Sequence, residues 1–158
     1  MNIIQKTFMK AAAKGFRPMM RNSYLMIGDL SKAFYVKDGK EALPIIAEIA
    51  SKGGARQAEI IWKMMPVKDM KGVGELFKMQ DATMEMGMEV IEISDDRIHF
   101  KNPRCILGLE GTSKELCDAT MNMERKMLST LLGKEVETEI AKSVAAGDKE
   151  CEVIFSIK

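Results

Sequence analysis

Residues 88–101 read Met88-Glu89-Val90-Ile91-Glu92-Ile93-Ser94-Asp95-Asp96-Arg97-Ile98-His99-Phe100-Lys101. Met88 to Ile93 is rich in β-branched residues. From Arg97 onward, Ile98 and Phe100 alternate with Arg97, His99 and Lys101, the period of a strand with one buried face. Asp95-Asp96 between the two runs suits a tight turn, because aspartate tolerates left-handed backbone. The stretch predicts a β-hairpin beginning just after Gly87.

C-terminal to the hairpin, Thr112-Ser113-Lys114-Glu115 has the form of a helix-opening capping box, and Gly133 is a natural stop. Leu116, Thr120, Met123, Met127 and Leu131 follow the helical period between them. Val136, Thr138 and Ile140 then alternate with Glu135, Glu137 and Glu139, as in a half-buried strand. Ala145-Ala146-Gly147-Asp148 turns the chain, and Cys151, Val153 and Phe155 share one face of a last strand.

The segment before the hairpin reads as helices. Ile3, Ile4, Phe8 and Ala11 or Ala12 predict a helix over 2–14, which Gly15 is placed to stop. A second is expected over 19–36, weakened by Gly28. Asp38 with Glu41 predicts a capped helix through Leu43, Ile46, Ala47 and Ala50, with Pro44 tolerable in its first turn. Gly53-Gly54 predicts a break or sharp kink before a segment over 55–65 that Pro66 ends. Asp69 can cap one more helix through Val73, Leu76, Phe77 and Met84. The order implies an α+β chain: an N-terminal helical layer packed on a small twisted antiparallel sheet with one crossover helix. The expected organisation is one domain over 1–158, helical over 1–86 and sheet-plus-helix over 87–158.

Composition narrows the function classes. With 158 residues, a globule buries roughly 70% of its unfolded surface and needs no staples. Lys plus Arg number 24 against 23 Asp plus Glu, a net +1 that supplies no global field for nucleic acid. No run approaches the roughly 20 apolar residues of a membrane span. The first residues lack a basic segment followed by a long apolar stretch, so a cytoplasmic location is expected. The chain has 15 methionines and 6% aromatic residues, so much of the core is expected to be flexible thioether, in either an ordinary helical core or an adaptable apolar pocket.

Several catalytic signatures are absent: the G-x-x-x-x-G-K-[ST] phosphate loop, G-x-G-x-x-G and the G-x-S-x-G elbow. Gly72-Val73-Gly74 lies in a helical pattern without the preceding strand a dinucleotide site needs. The carboxylates Asp81, Glu85, Glu89 and Glu92 read as solvated faces. Cys105, Cys117 and Cys151 are an odd number and argue against a disulfide framework. Three readings stand for them. They are small buried hydrophobes; or they are zinc thiolates, with water or His99 as fourth ligand, although strand alternation turns His99 away from Ile98 and Phe100; or Cys117, near a helix N-terminus, is a nucleophile, with no base at a recognisable spacing.

At these residues the chain resembles a known family. Asp95-Asp96-Arg97-Ile98-His99-Phe100, Asn102-Pro103-Arg104-Cys105, Glu115-Leu116-Cys117 and Ala146-Gly147-Asp148-Lys149-Glu150-Cys151-Glu152-Val153 look like the vinyl-reductase (hydrocarbon-binding) domain and the related aminothiazoline-carboxylate hydrolase-like superfamily. Motif support covers about residues 87–158. The resemblance implies the fold of nitric-oxide sensors and vesicle-tethering subunits, binding of small, often hydrophobic molecules, and cysteines as metal ligands. The expected ligand lies between helices and sheet, against Phe77, Met79, Met84 and Met123. The alternative is a metal-assisted hydrolase of a small heterocyclic or amide substrate, with zinc held by Cys105, Cys117, Cys151 and His99. A homodimer through the N-terminal helix is also expected, from Ile3, Ile4, Phe8, Met9, Met19 and Met20.

Overall fold

The structure, a computed structural model, describes residues 3–158, with side chains from Gly15 onward. Its elements are α1 (Ile3–Asp38), a short turn of 3-10 helix (Gly39–Ala42), α2 (Leu43–Met64), α3 (Met70–Met84), β1 (Glu89–Ile93), β2 (Arg97–Asn102), α4 (Lys114–Leu132), β3 (Val136–Lys142), a second 3-10 turn (Val144–Ala146) and β4 (Cys151–Ile157). The chain is α+β, with long helices on one face of a four-stranded antiparallel sheet ordered β1-β2-β4-β3. The last strand therefore inserts between the hairpin and β3, and α4 is the crossover.

The alternation read in the sequence sets the faces. In β2 and β4, Ile98 pairs with Phe155, Phe100 with Val153 and Asn102 with Cys151 on the helix side. His99 and Ile154, and Lys101 and Glu152, pair on the other side. Phe77 of α3 reaches the sheet and forms an aromatic trio with Phe100 and Phe155, ring centres 5.2 to 6.0 Å apart. Such tilted and offset contacts add to the burial of the rings themselves. This core is completed by Val73, Leu76, Leu128, Leu131 and Val136. A second, smaller core holds Ala42, Ile46, Leu107, Leu109, Leu116, Cys117 and Ile140.

Helix ends follow local chemistry where a cap bond forms. Asp69 Oδ1 accepts from the Gly72 N–H at 2.8 Å, and Ser113 Oγ accepts from the Leu116 N–H at 3.1 Å. Gly133 ends α4 in the left-handed region that glycine reaches without strain.

Four expectations are corrected. Gly15 does not stop a helix: α1 runs unbroken through it and through the exposed Pro18. A single glycine or proline weakens a helix by a bounded amount, which the neighbouring turns outweigh. Asp38 makes no side-chain cap bond; the chain turns at Gly39, whose φ is +60°. Gly53-Gly54 breaks nothing either, because α2 continues to Met64 and uses Gly54 for close approach to α4. Nor is the core thioether-rich: Met70, Met84 and Met127 are buried, while Met19, Met26, Met64 and Met79 are exposed. Among the described residues, no helix is long and apolar enough to cross a membrane.

Candidate functional site

The site lies where α1 crosses the sheet's end. Arg17, Tyr24, Gly28, Ser31 and Tyr35, α1 residues turned inward, recur one or two turns apart. At Gly28 the helix meets the loop between β2 and α4 so closely that a Cβ would stand 1.7 Å from the Leu107 carbonyl oxygen. Lys32 Nζ donates to the Gly108 carbonyl at 2.8 Å, and Arg17 Nε donates to the Thr83 carbonyl at 2.6 Å. Glu85, in left-handed backbone after α3, pairs with Arg17, and its carbonyl accepts from Arg104 at 3.0 Å.

These anchors leave a cavity of about 50 Å³ between α1, the end of α3 and the start of the loop. Its walls are Leu25, Met84, Met86 and Ile106, with Cys105 and Asn102 behind and Arg21, Glu85 and Arg104 around them. Asn102 Oδ1 is buried and has no hydrogen-bond partner. An unbonded buried acceptor costs free energy, so the cavity holds an unmet demand for a donor.

Cys117 and Cys151 lie within electrostatic reach of each other and of Cys105. Burial pushes the Cys117 thiol up to about 11, against the opposing effect of the Ser143 hydroxyl beside it. Burial also raises Cys105, whose sulfur receives the Leu109 N–H at 3.5 Å, and Cys151, where the Val144 backbone opposes the shift. The nearby Glu110 carboxylate pushes both further up. All three thiols are thus protonated at neutral pH, which disfavours a nucleophilic Cys117.

One turn to two turns along α4 lies a polar group from separate helices. Tyr24 of α1 receives a hydrogen bond from Gln80 of α3 at 3.3 Å and is bonded by Gln57 of α2. Glu124 of α4 stands near it. Its Oε2 is sealed from solvent without a partner, and burial pushes its carboxyl up to about 7.

The expected site residues separate. Cys105, Cys117 and Cys151 do converge, but His99 does not join them: it sits on the opposite sheet face, its Nε2 2.9 Å from Glu152 Oε1. The reason is the strand period, since His99 and the core residues Ile98 and Phe100 must face opposite ways. Among the described residues, no group of three or more His, Cys, Asp or Glu side chains is arranged to hold a metal ion. Of the four expected zinc ligands, the three thiols lie together and His99 does not join them. Phe77 is spent in the aromatic core, Met79 is exposed and the Met123 backbone carbonyl lies against Gly54 of α2; of the four expected ligand contacts only Met84 lines the cavity. Arg21, Leu25, Met86, Asn102, Arg104 and Ile106 were not foreseen; the one sequence signal toward them is Gly28, an isolated glycine in a helix that marks close packing.

Cys151→Ala is accordingly expected to cost about 1–2 kcal/mol, as a modest core truncation does. The cost should be the same with and without chelator in thermal melts, and chelator should leave the wild-type midpoint in place. A chelator-sensitive wild-type midpoint would establish thiolate ligation instead.

No family model matches the chain, and no curated protein matches its sequence. Solved structures do match. The phenol-responsive sensory domain of the transcription activator PoxR, solved with phenol, aligns at a TM-score of 0.62 and 15% identity over 85% of this chain and 74% of that one. A trafficking protein particle complex subunit 3 from Naegleria fowleri, covalently bound to palmitic acid, aligns at 0.65 and 16% over 87% and 94%. At such identity the likeness shows a shared fold: a helical layer on a four-stranded antiparallel sheet, found in a sensory domain and in a trafficking-complex subunit.

Proposed function

We propose that the chain binds a small molecule with an apolar body and one hydrogen-bonding end, in the cavity between α1, the end of α3 and the loop after β2. The observation that carries this reading is the buried, unpartnered Oδ1 of Asn102, a residue that lines the cavity together with Leu25, Met84, Met86 and Ile106. A few convergent polar groups in an apolar concavity are the usual makings of a ligand site. The cavity is smaller than the roughly 150 Å³ that holds benzene in an engineered core. Entry therefore requires the flexible thioethers of Met84 and Met86 to swing aside. Both structural neighbours hold a small molecule, phenol in one and covalently bound palmitic acid in the other, which supports a ligand of this kind. In its finer form the reading is a binding protein of the vinyl-reductase-domain type. The hydrolase alternative has no observation in its favour, because His99, its expected fourth ligand, is paired with Glu152 on the far face.

Calorimetric titration with phenol and with decanoate tests it. Binding of at least one is expected, with Met84→Trp, which fills the cavity, weakening it at least about tenfold. Asn102→Ala should weaken phenol by up to about tenfold, the worth of one buried hydrogen bond. No heat from either probe at millimolar concentration, or full binding by Met84→Trp, overturns the reading.

A further inference from the structure

Opposite its inward face, α1 carries Phe16, Met19, Met26, Ile27, Leu30 and Phe34, each between 41% and 62% exposed. Phe16, Ser23 and Leu30 lie seven apart, as do Met19, Met26 and Ala33, and the two sets alternate by three and four. That is the 3.5-residue repeat of a coiled-coil seam, flanked by Ile27 and Phe34. No charged residue interrupts it from Phe16 to Phe34. Among the described residues nothing in this chain covers it.

We infer that the seam binds the α1 of a second copy of this chain, antiparallel, about a two-fold axis between Tyr24 and Leu25. Side-chain size selects the direction. Antiparallel pairing sets Phe16 against Ala33, Met19 against Leu30 and Ser23 against Met26, so each small residue meets a large one. Parallel pairing would set Ser23 on Ser23 and Ala33 on Ala33 as holes, and Phe16 on Phe16 as a collision. Facing positions that alternate large and small fill space at native density. The area also suits a homodimer. Six side chains exposing about half their surfaces present roughly 600 Å² per copy, and Ser23 and Ala33 within the seam, with Met20 at its margin, bring this near the ~800 Å² of a standard interface. The seam from Phe16 to Phe34 spans about 27 Å of helix, enough for such a patch without other elements. One face of α1 thus walls the cavity through Arg21 and Leu25 while another meets the partner.

Of the residues from which a dimer was expected, Ile3, Ile4, Phe8 and Met9 lie outside the described side chains. Met19 belongs to the seam, and Met20 is half-buried at its edge.

Sedimentation at tens of micromolar should give twice the chain mass of 17.7 kDa. The double variant Met26→Glu/Leu30→Glu places four carboxylates in the seam and should sediment at half the wild-type mass with a cooperative melt retained. Val36→Glu, at an exposed position of α1 off the seam, should stay dimeric. A monomeric wild type overturns the inference. So does a dimer that survives Met26→Glu/Leu30→Glu, since another surface would then hold it. Neither outcome bears on ligand binding, which is read separately by calorimetry.

Discussion

Gly54→Ala is expected to destabilise the protein by about 2 kcal/mol or more, while Gly53→Ala, one residue earlier, stabilises it by up to about 1 kcal/mol. A Cβ on Gly54 would stand 2.0 Å from the Met123 carbonyl oxygen and 3.0 Å from the Met127 nitrogen, both backbone atoms of α4. Backbone cannot swing aside as a side chain does, so the whole α2–α4 pair must separate, and overpacking of this kind costs about 1–3 kcal/mol or more. The gain in helix propensity from glycine to alanine, about 1 kcal/mol, is too small to offset it. At Gly53 the same gain is unopposed, because nothing lies within 4 Å of the new methyl. Each kilocalorie should move the midpoint of a chain this size by about 2–4 °C. Thermal melts of the two variants must therefore shift in opposite directions; shifts of the same sign would remove the close α2–α4 approach.

The second large effect concerns Glu124. Its carboxyl titrates near 7 in the folded protein against 4.5 as the ordinary value, because burial penalises the charged form. The sign follows from proton binding. Between those two values the folded state holds a proton that the unfolded state has lost, so stability falls as pH rises. The contribution is whole below about 4.5 and gone once pH passes about 7. The span corresponds to on the order of 3 kcal/mol. Glu124→Gln removes the ionisation and keeps the shape. Denaturant unfolding at pH 5 and pH 8 should show wild type losing about 1–3 kcal/mol at the higher pH from this group, with Glu124→Gln losing less by that amount. Tyr24 responds to the same charge, since an ionised Glu124 beside it raises the phenol further. Parallel pH profiles for the two proteins would place the carboxyl in solvent after all.

Much of this architecture was legible along the chain. Ile98 and Phe100, then Val136 and Ile140, then Cys151, Val153 and Phe155 alternate with polar neighbours, and each set lies on the helix-facing side of the sheet. Alternation is legible because side-chain direction in a strand is local geometry, with a period of two wherever the strand lies. The caps at Asp69 and Ser113 are local for the same reason: donor and acceptor are three residues apart. His99 belongs here too, since the same alternation that turned it from Ile98 already weakened it as a partner for the thiols.

What escaped was decided at a distance. Gly28 and Gly54 read as helix weaknesses, yet both are where another backbone passes, Leu107 in one case and Met123 in the other. A lone glycine carries no sign of what approaches it. The cavity joins Arg21 and Leu25 to Met84, Asn102 and Arg104 across three separate stretches of chain, and no periodicity records which face of α1 crosses which loop. Methionine was read from its abundance, but burial is set by packing, and the thioethers divide between core and surface. The sequence by itself determined the four strands, their buried faces and the α+β order, because those depend on period and on contacts a few residues long. Only the tertiary structure decided where helices touch, which thiols meet and where an acceptor is left unbonded, because those are sums over contacts between residues the chain holds far apart.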